Sequence, residues 1–162
     1  MSVRLFVTGG TFDKEYDEIR GELFFKDSHL KDMLEMGRCR VDVKVRTLML
    51  VDSLQMSASE RDTIANNCRD VPENQIIITH GTDTMVETAR VLAERVTDKT
   101  IVLTGAMIPI AFGSSDGLFN LGGALTAVQV LSPGVYVSMN GRVFSWDNVR
   151  KNRDTGVFEA LS

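Results

Sequence analysis

Four short stretches of this chain gather residue types that can do nucleophilic acyl-transfer chemistry. ITHGTDTMVETA (residues 78–89) puts His80, Thr82 and Asp83 around a glycine, between an apolar run and a helix-like run. TGGTF (residues 8–12) offers hydroxyls on two glycines, LVDSLQM (residues 50–56) adds Asp52 and Ser53, and TGAM (residues 104–107) adds another hydroxyl beside a glycine and Ala106. A hydroxyl becomes a nucleophile when a neighbouring base takes its proton. Glycines let a backbone approach a ligand closely, and helix N-termini present free amides to a carboxylate or a developing oxyanion. Brought together, these stretches supply nucleophile candidates, anion binders and an acid able to hold a cation.

Each stretch alone has a plainer reading. TGGT after a first strand could be a phosphate turn, but it matches neither GxGxxG nor GxxxxGK[ST]. Thr82 or Asp83 could simply cap a helix, GSSDG (residues 113–117) reads as a loop and cap, and His80 among apolar neighbours reads as a hydrogen-bonded core histidine. Their order along the chain is what distinguishes the readings.

That order follows from the elements expected to carry them. Apolar runs at residues 3–8, within 40–50, and at 75–80, 99–106 and 134–140 read as buried strands. Segments 28–36, 57–68, 83–95 and 116–131 have helical period, and SASE (residues 57–60) is a capping box in which Ser57 and Glu60 satisfy each other's backbone amides. Near-continuously apolar strands alternating with helices predict an α/β fold: a doubly wound, mainly parallel sheet with helices on both faces. In such sheets ligands bind outside the carboxyl ends of the strands, and all four chemistry-bearing stretches fall at those ends.

Composition narrows the function classes. The chain has 162 residues, 43% hydrophobic and 25% charged, close to the average for one soluble domain. A formal net charge of -4 leaves no basic footprint for nucleic acid, and no run approaches the roughly 20 apolar residues of a membrane span. The start, MSVRLFVTGG, lacks a secretory pattern and reads as a mature cytoplasmic terminus. Cys39 and Cys68 lack any CxxC or Cys/His spacing and read as reduced thiols.

TGGTF, DSLQM, THGTDTMVETA and LTGAMIPIAFGSSDGLFNL (residues 103–121), in this order and spacing, resemble the bacterial-type L-asparaginases, and NVRKN (residues 148–152) resembles the segment in which that family carries a catalytic lysine. The likeness runs from about residue 3 to residue 152 and implies the Rossmann- or flavodoxin-like N-terminal domain of that family. Residues 1–162 are expected to form a single catalytic domain without the family's second domain.

The resemblance implies roles residue by residue. Thr11 is the nucleophile that forms an acyl-enzyme, and Tyr16 is the tyrosine of a mobile flap, FDKEYDEIRGEL (residues 12–23). Thr82, Asp83 and Lys151 form the activating cluster, with Asp83 also binding the substrate ammonium; Tyr16 and the Thr82–Lys151 pair are both open as the first proton acceptor. Arg150 and Arg153 crowd the expected place of the lysine, and either could occupy it. Ser53 holds the α-carboxylate with amides around Asp52 and the turn at Gly10, while amides near Thr82 and Ala106 polarise the scissile carbonyl. No metal and no cofactor are implied.

Two departures stand out. The acidic group that a neighbouring subunit's second domain contributes to the ammonium site has no match here. Leu54 follows Ser53 where many members carry a polar side chain. A partner subunit could compensate, and the apolar segment MIPIAFG (residues 107–113) predicts a homo-oligomer, dimer or tetramer. Three function classes follow: an L-asparaginase; a related amide hydrolase or amidotransferase component with another substrate such as glutamine or a D-amino acid; or a non-catalytic amino-acid-binding protein. The joint retention of Thr11, Thr82, Asp83 and Lys151 argues against the last. One methylene between asparagine and glutamine is worth only about 1–3 kcal/mol in a pocket.

Overall fold

The computed structural model describes residues 1–162. The elements run β1 (Ser2–Gly9), β2 (Lys14–Asp17), β3 (Glu22–Phe25), α1 (Leu30–Met36), β4 (Asp42–Val51), α2 (Ala58–Asp70), β5 (Gln75–Thr79), α3 (Met85–Arg95), β6 (Thr100–Thr104), α4 (Gly117–Val130), β7 (Gly134–Met139), β8 (Arg142–Ser145), β9 (Arg150–Asn152) and β10 (Val157–Glu159). Six strands form one sheet in the order β4-β1-β5-β6-β7-β8. The first five are parallel, and β8 closes the edge antiparallel to β7.

Counting only the parallel strands, this is the 2-1-3-4-5 order of a flavodoxin-like doubly wound sheet. Its direction of winding switches between β1 and β5, and the crevice for a ligand opens there. Thr8–Thr11 and Thr79–Asp83 leave the sheet at that switch point.

Alternation along the central strands explains why both faces are covered. Ile76 and Ile78 of β5 join Phe6, Ile101 and Leu103 in a core under α2 and α3, with Ile64, Cys68, Met85 and Leu92. Ile77, with Leu5, Val7 and Val102, points the other way into a core with Leu30, Met33, Leu121 and Val128 of α1 and α4. A strand buried on both faces must be apolar at consecutive positions, which is how these runs read in the sequence. Cys68 lies within the first core, where burial pushes its thiol up to about 12, and neither cysteine is in a disulfide.

The α2 capping box forms as its sequence predicts: Ser57 N donates to Glu60 Oε2 at 2.7 Å, and Glu60 N to Ser57 Oγ at 3.2 Å. Helix α3 begins at Met85 rather than at Asp83, leaving HGTDT as loop, and its N-cap residue, Thr84, makes no side-chain cap bond. Two antiparallel pieces carry no strong signal in the sequence: the β2–β3 hairpin inside the flap and the β9–β10 hairpin that pairs Lys151 with Phe158. The edge strand β8 also lies outside the strands read above, although Asn140-Gly141, which joins it to β7 with both residues at positive φ, is a two-residue hairpin signature.

Candidate active site

The loops leaving β1, β4 and β5 meet at two glycines. Gly10 has φ 81°, a left-handed value, and a Cβ placed on it would lie 2.5 Å from the Gly81 Cα. A Cβ on Gly81 would lie 2.5 Å from Ser53 Oγ. Only glycine allows both approaches, and the result is that Thr11 and Thr82 each stand one residue from a three-way junction that Ser53 completes. Threonines lower on the strands tie the same ends: Thr8 Oγ1 donates to Thr79 O across β1–β5 at 2.7 Å, and Thr104 Oγ1 to Ser138 O across β6–β7 at 2.8 Å.

Lys151 reaches this junction from β9. Its Nζ donates to Thr82 Oγ1 at 2.8 Å and to Asp83 Oδ1 at 2.9 Å, and its side chain is 11% exposed. Arg153, on the following turn, donates from Nη1 to Asp83 Oδ1 and from Nη2 to Asp83 O, both at 3.0 Å. The hairpin bearing these cations is held from below by two asparagines. Asn120 Nδ2 donates to Gly105 O at 2.9 Å, Asn140 N donates to Asn120 Oδ1 at 3.3 Å, and Phe158 N donates to Asn140 Oδ1 at 2.9 Å. Since Phe158 is the cross-strand partner of Lys151, this ladder couples the loop after β6 to the height of the lysine.

Behind Thr82 runs a buried polar chain. His80 Nδ1 lies 2.8 Å from Gly81 O, and a carbonyl only accepts, so Nδ1 carries the proton. Nε2 therefore accepts from the Thr88 hydroxyl at 2.7 Å, and Thr88 Oγ1 accepts from Arg61 Nε at 3.0 Å. Burial, with a smaller contribution from the Arg61 charge, pushes the His80 ring down to about 4, against the opposing effect of the Gly81 carbonyl. Arg61 also donates to Met56 O and, through Nη2, to Thr84 Oγ1 at 2.8 Å. Thr84 in turn donates its hydroxyl to Ser53 O at 2.8 Å and its amide to Ser53 Oγ at 3.3 Å. One guanidinium thus fixes both the Gly81 carbonyl and the Ser53 loop.

The remaining sequence-predicted residues lie as follows. The amides of Gly81, Thr82, Asp83 and Ala106 donate no bond to protein backbone, whereas Gly10 N is engaged by Val51 O at 3.1 Å. Gly10 thereby shapes the turn and has no amide to offer a ligand. Asp52 accepts from Leu54 N and binds Lys14 Nζ at 2.6 Å; the Lys14 bond is the main reason its carboxyl is held below the usual range. Leu54 itself is exposed. Tyr16 sits on β2, 53% exposed, with its hydroxyl toward the Gly21 turn. The flap is thus a hairpin whose base is fastened to the Ser53 loop and whose tyrosine stands in the open. A cleft of about 470 Å³, lined by Lys14, Leu23, Phe25, Val51 and Asp52, separates the two.

Arg61, Thr84, Thr88, Asn120, Asn140 and Lys14 have no place in the sequence reading. Two of them carried a signal. Arg61 stands on the buried stripe Arg61, Ile64, Ala65, Cys68 of α2, and Thr88 on the stripe Met85, Thr88, Ala89, Leu92 of α3. A polar residue on an apolar stripe must find a buried partner. GSSDG is not merely a cap: the Asp116 carboxylate accepts from Met107 N at 2.9 Å and Ile108 N at 2.9 Å, pinning the loop after Ala106. Asp13, fully buried just beyond Thr11, accepts from His29 N at 3.0 Å, and desolvation raises its pKa. No group of three His, Cys, Asp or Glu side chains has metal-holding geometry, and no helix is long and apolar enough to cross a membrane.

Comparison with known proteins gives a consistent picture. Residues 2–161 match the family model described as Asparaginase, N-terminal. The chain is 28% identical over 166 residues to an L-asparaginase of Thermococcus kodakarensis, an alignment covering 97% of this chain and 49% of the relative. Among solved structures, the thermostable L-asparaginase from Thermococcus kodakarensis superposes with a TM-score of 0.87 at 27% identity, over 99% of this chain and 51% of that one. A probable cytoplasmic L-asparaginase from Campylobacter jejuni superposes with a TM-score of 0.85 at 27% identity, over 98% and 52%. The chain therefore spans about half the length of these relatives.

Proposed function

The chain belongs to the asparaginase family, matching its N-terminal region, and from that premise we propose that it is an amidohydrolase converting L-asparagine to L-aspartate and ammonia. The observation that carries this reading is the junction of Gly10, Gly81 and Ser53, which gathers Thr11, Ser53 and Thr82 while Lys151 bonds Thr82 and Asp83. In this reading Thr11 Oγ attacks the side-chain amide carbon. Its proton passes to the Thr82–Lys151 pair and on to the amide nitrogen, so that ammonia leaves and an ester to Thr11 remains. Water then attacks the ester, its proton returns to Thr11 Oγ, and aspartate is released.

The Thr82–Lys151 pair is favoured over Tyr16 as proton acceptor because it is already hydrogen-bonded and sheltered, whereas Tyr16 points toward the flap turn. Free amides at Thr82 and Ala106 are suited to the developing oxyanion, a contribution worth roughly 3 kcal/mol per donor. Ser53, fixed by Thr84, holds the α-carboxylate, and Asp83 receives the α-ammonium. No step calls on a metal or cofactor. The exposed Met107, Ile108 and Phe112 support self-association into a dimer or tetramer; a monomer throughout the micromolar range in sedimentation would remove that part.

The test is ammonia release from purified protein with L-Asn, L-Gln, D-Asn or no substrate, beside Thr11→Ala. Release with L-Asn that disappears in the variant is expected. Equal release from the variant would take the nucleophile role from Thr11, and no release from any amide would leave the crevice a binding site without turnover.

A further inference from the structure

Asp83 carries one negative charge, yet two basic side chains already share its Oδ1. Lys151 is held from both sides, bonded to Thr82 as well as to Asp83, and is 11% exposed. Arg153 is different in kind: its side chain is 62% exposed, it stands on the β9–β10 turn, and its partners are the carboxylate and carbonyl of Asp83 alone. A substrate ammonium arriving at Asp83 would be a third donor on a single carboxylate, with Oδ1 already taken twice and the permanently charged Arg153 guanidinium beside it. Like charges within a few ångströms repel, so the ammonium and the guanidinium compete for the carboxylate. Lys151 cannot withdraw without abandoning Thr82, whereas Arg153 can swing into solvent.

We infer that Arg153 is a specificity-determining residue that occupies the ammonium site of the free protein and is displaced when an α-amino acid binds. This rests on the assignment of Asp83 as the ammonium ligand. The guanidinium acts as an internal competitor for ligands that carry an α-ammonium and leaves ligands without one unaffected. Because an exposed ion pair changes an equilibrium constant by only about fivefold or less, the competition is weak enough for substrate to overcome and sets affinity without blocking the site.

L-Aspartate and succinate differ by the ammonium alone and need no turnover to be measured. Their dissociation constants for the full chain, unmodified and as Arg153→Gln, are obtained by calorimetric titration. The expected result is that Arg153→Gln tightens L-aspartate about threefold to fivefold and leaves succinate within twofold. If Arg153 merely braced Asp83, L-aspartate would weaken; if it held a substrate carboxylate, both ligands would weaken together. Either result overturns the inference, as does an unchanged pair of constants. Failure of the underlying assignment reads differently: Asp83→Asn would then weaken L-aspartate and succinate equally, or neither ligand would bind the unmodified protein.

Discussion

The wall of the crevice that follows β5 is buried and cross-bonded from Arg61 to the Gly81 carbonyl, whereas on the Thr11 side the β2–β3 hairpin leaves Tyr16, Leu23 and Phe24 exposed and is fastened through Lys14. The first arrangement has little freedom: Arg61, Thr88 and His80 are buried and each is bonded to the next. The second is two short strands with a charged turn. Placement of the activating Thr82–Lys151 pair within a fraction of an ångström belongs on the first wall, and admission of substrate belongs on the hairpin beyond Thr11.

Exchanging the two candidate proton acceptors should break this comparison most visibly. Lys151→Met is expected to lower kcat by about 100-fold, the usual scale for a positioned acid–base group. Tyr16→Phe should lower it by about fivefold or less and act mainly on KM. Steady-state kinetics on both variants decides the matter; a larger kcat loss from Tyr16→Phe would move the proton chemistry onto the flap.

The buried wall is next. Thr88→Val keeps the shape but leaves His80 Nε2 and Arg61 Nε without their partner, at a cost of about 2–3 kcal/mol in stability. It also frees the Gly81 loop, with an expected kcat loss of about tenfold, whereas Thr88→Ser retains both. Chemical denaturation and kinetics on the two variants measure this, and a Val variant as stable as the parent would mean that the chain does not hold the loop. His80 adds a pH signature. Its folded pKa of about 4 lies below the ordinary 6.5, so as pH falls through 6.5 the unfolded chain takes up a proton that the folded one refuses. Stability is therefore lost on acidification from about 6.5 toward 4, roughly 2 kcal/mol of it between pH 7 and 5. His80→Asn, whose amide nitrogen can still donate to Gly81 O, should flatten that slope.

What was legible in the sequence follows the same division. Central strands buried on both faces write themselves as unbroken apolar runs, and the α2 capping box is a local pattern, so the sheet and its crevice could be read directly. Residues 14–17 and 22–25, and 150–152 and 157–159, are short, charged and half-exposed; their pairing depends on what they pack against, and no period marks them. Lys151 was visible as one of three crowded basic residues, but that it and Arg153 both converge on Asp83 depends on the β9–β10 pairing, which Asn140 anchors by accepting from Phe158 N; Asn140-Gly141 is legible as a turn, but that its side chain reaches β10 is a tertiary fact. Arg61 and Thr88 were detectable in principle as polar residues on apolar helical stripes. Their connection through His80 joins α2 to α3 and is a tertiary fact.

The smallest expected effect lies at the hinge of the open wall. Lys14 Nζ bonds Asp52 and lies 5.6 Å from the centroid of the Phe25 ring, so one cation joins β2, β3 and the Ser53 loop. Lys14 is 16% and Asp52 33% exposed at the side chain, a partly solvated pair whose contribution is modest. Lys14→Met keeps the aliphatic contact with Phe25 and removes the tie. The hairpin should then sample open positions more often, raising KM about threefold while kcat and the melting temperature hold, because no buried group is orphaned. A fall in kcat instead would mean that the flap also sets the geometry at Thr11, three residues before Lys14, and the division between a placing wall and an admitting wall would have to be redrawn with the nucleophile on the mobile side.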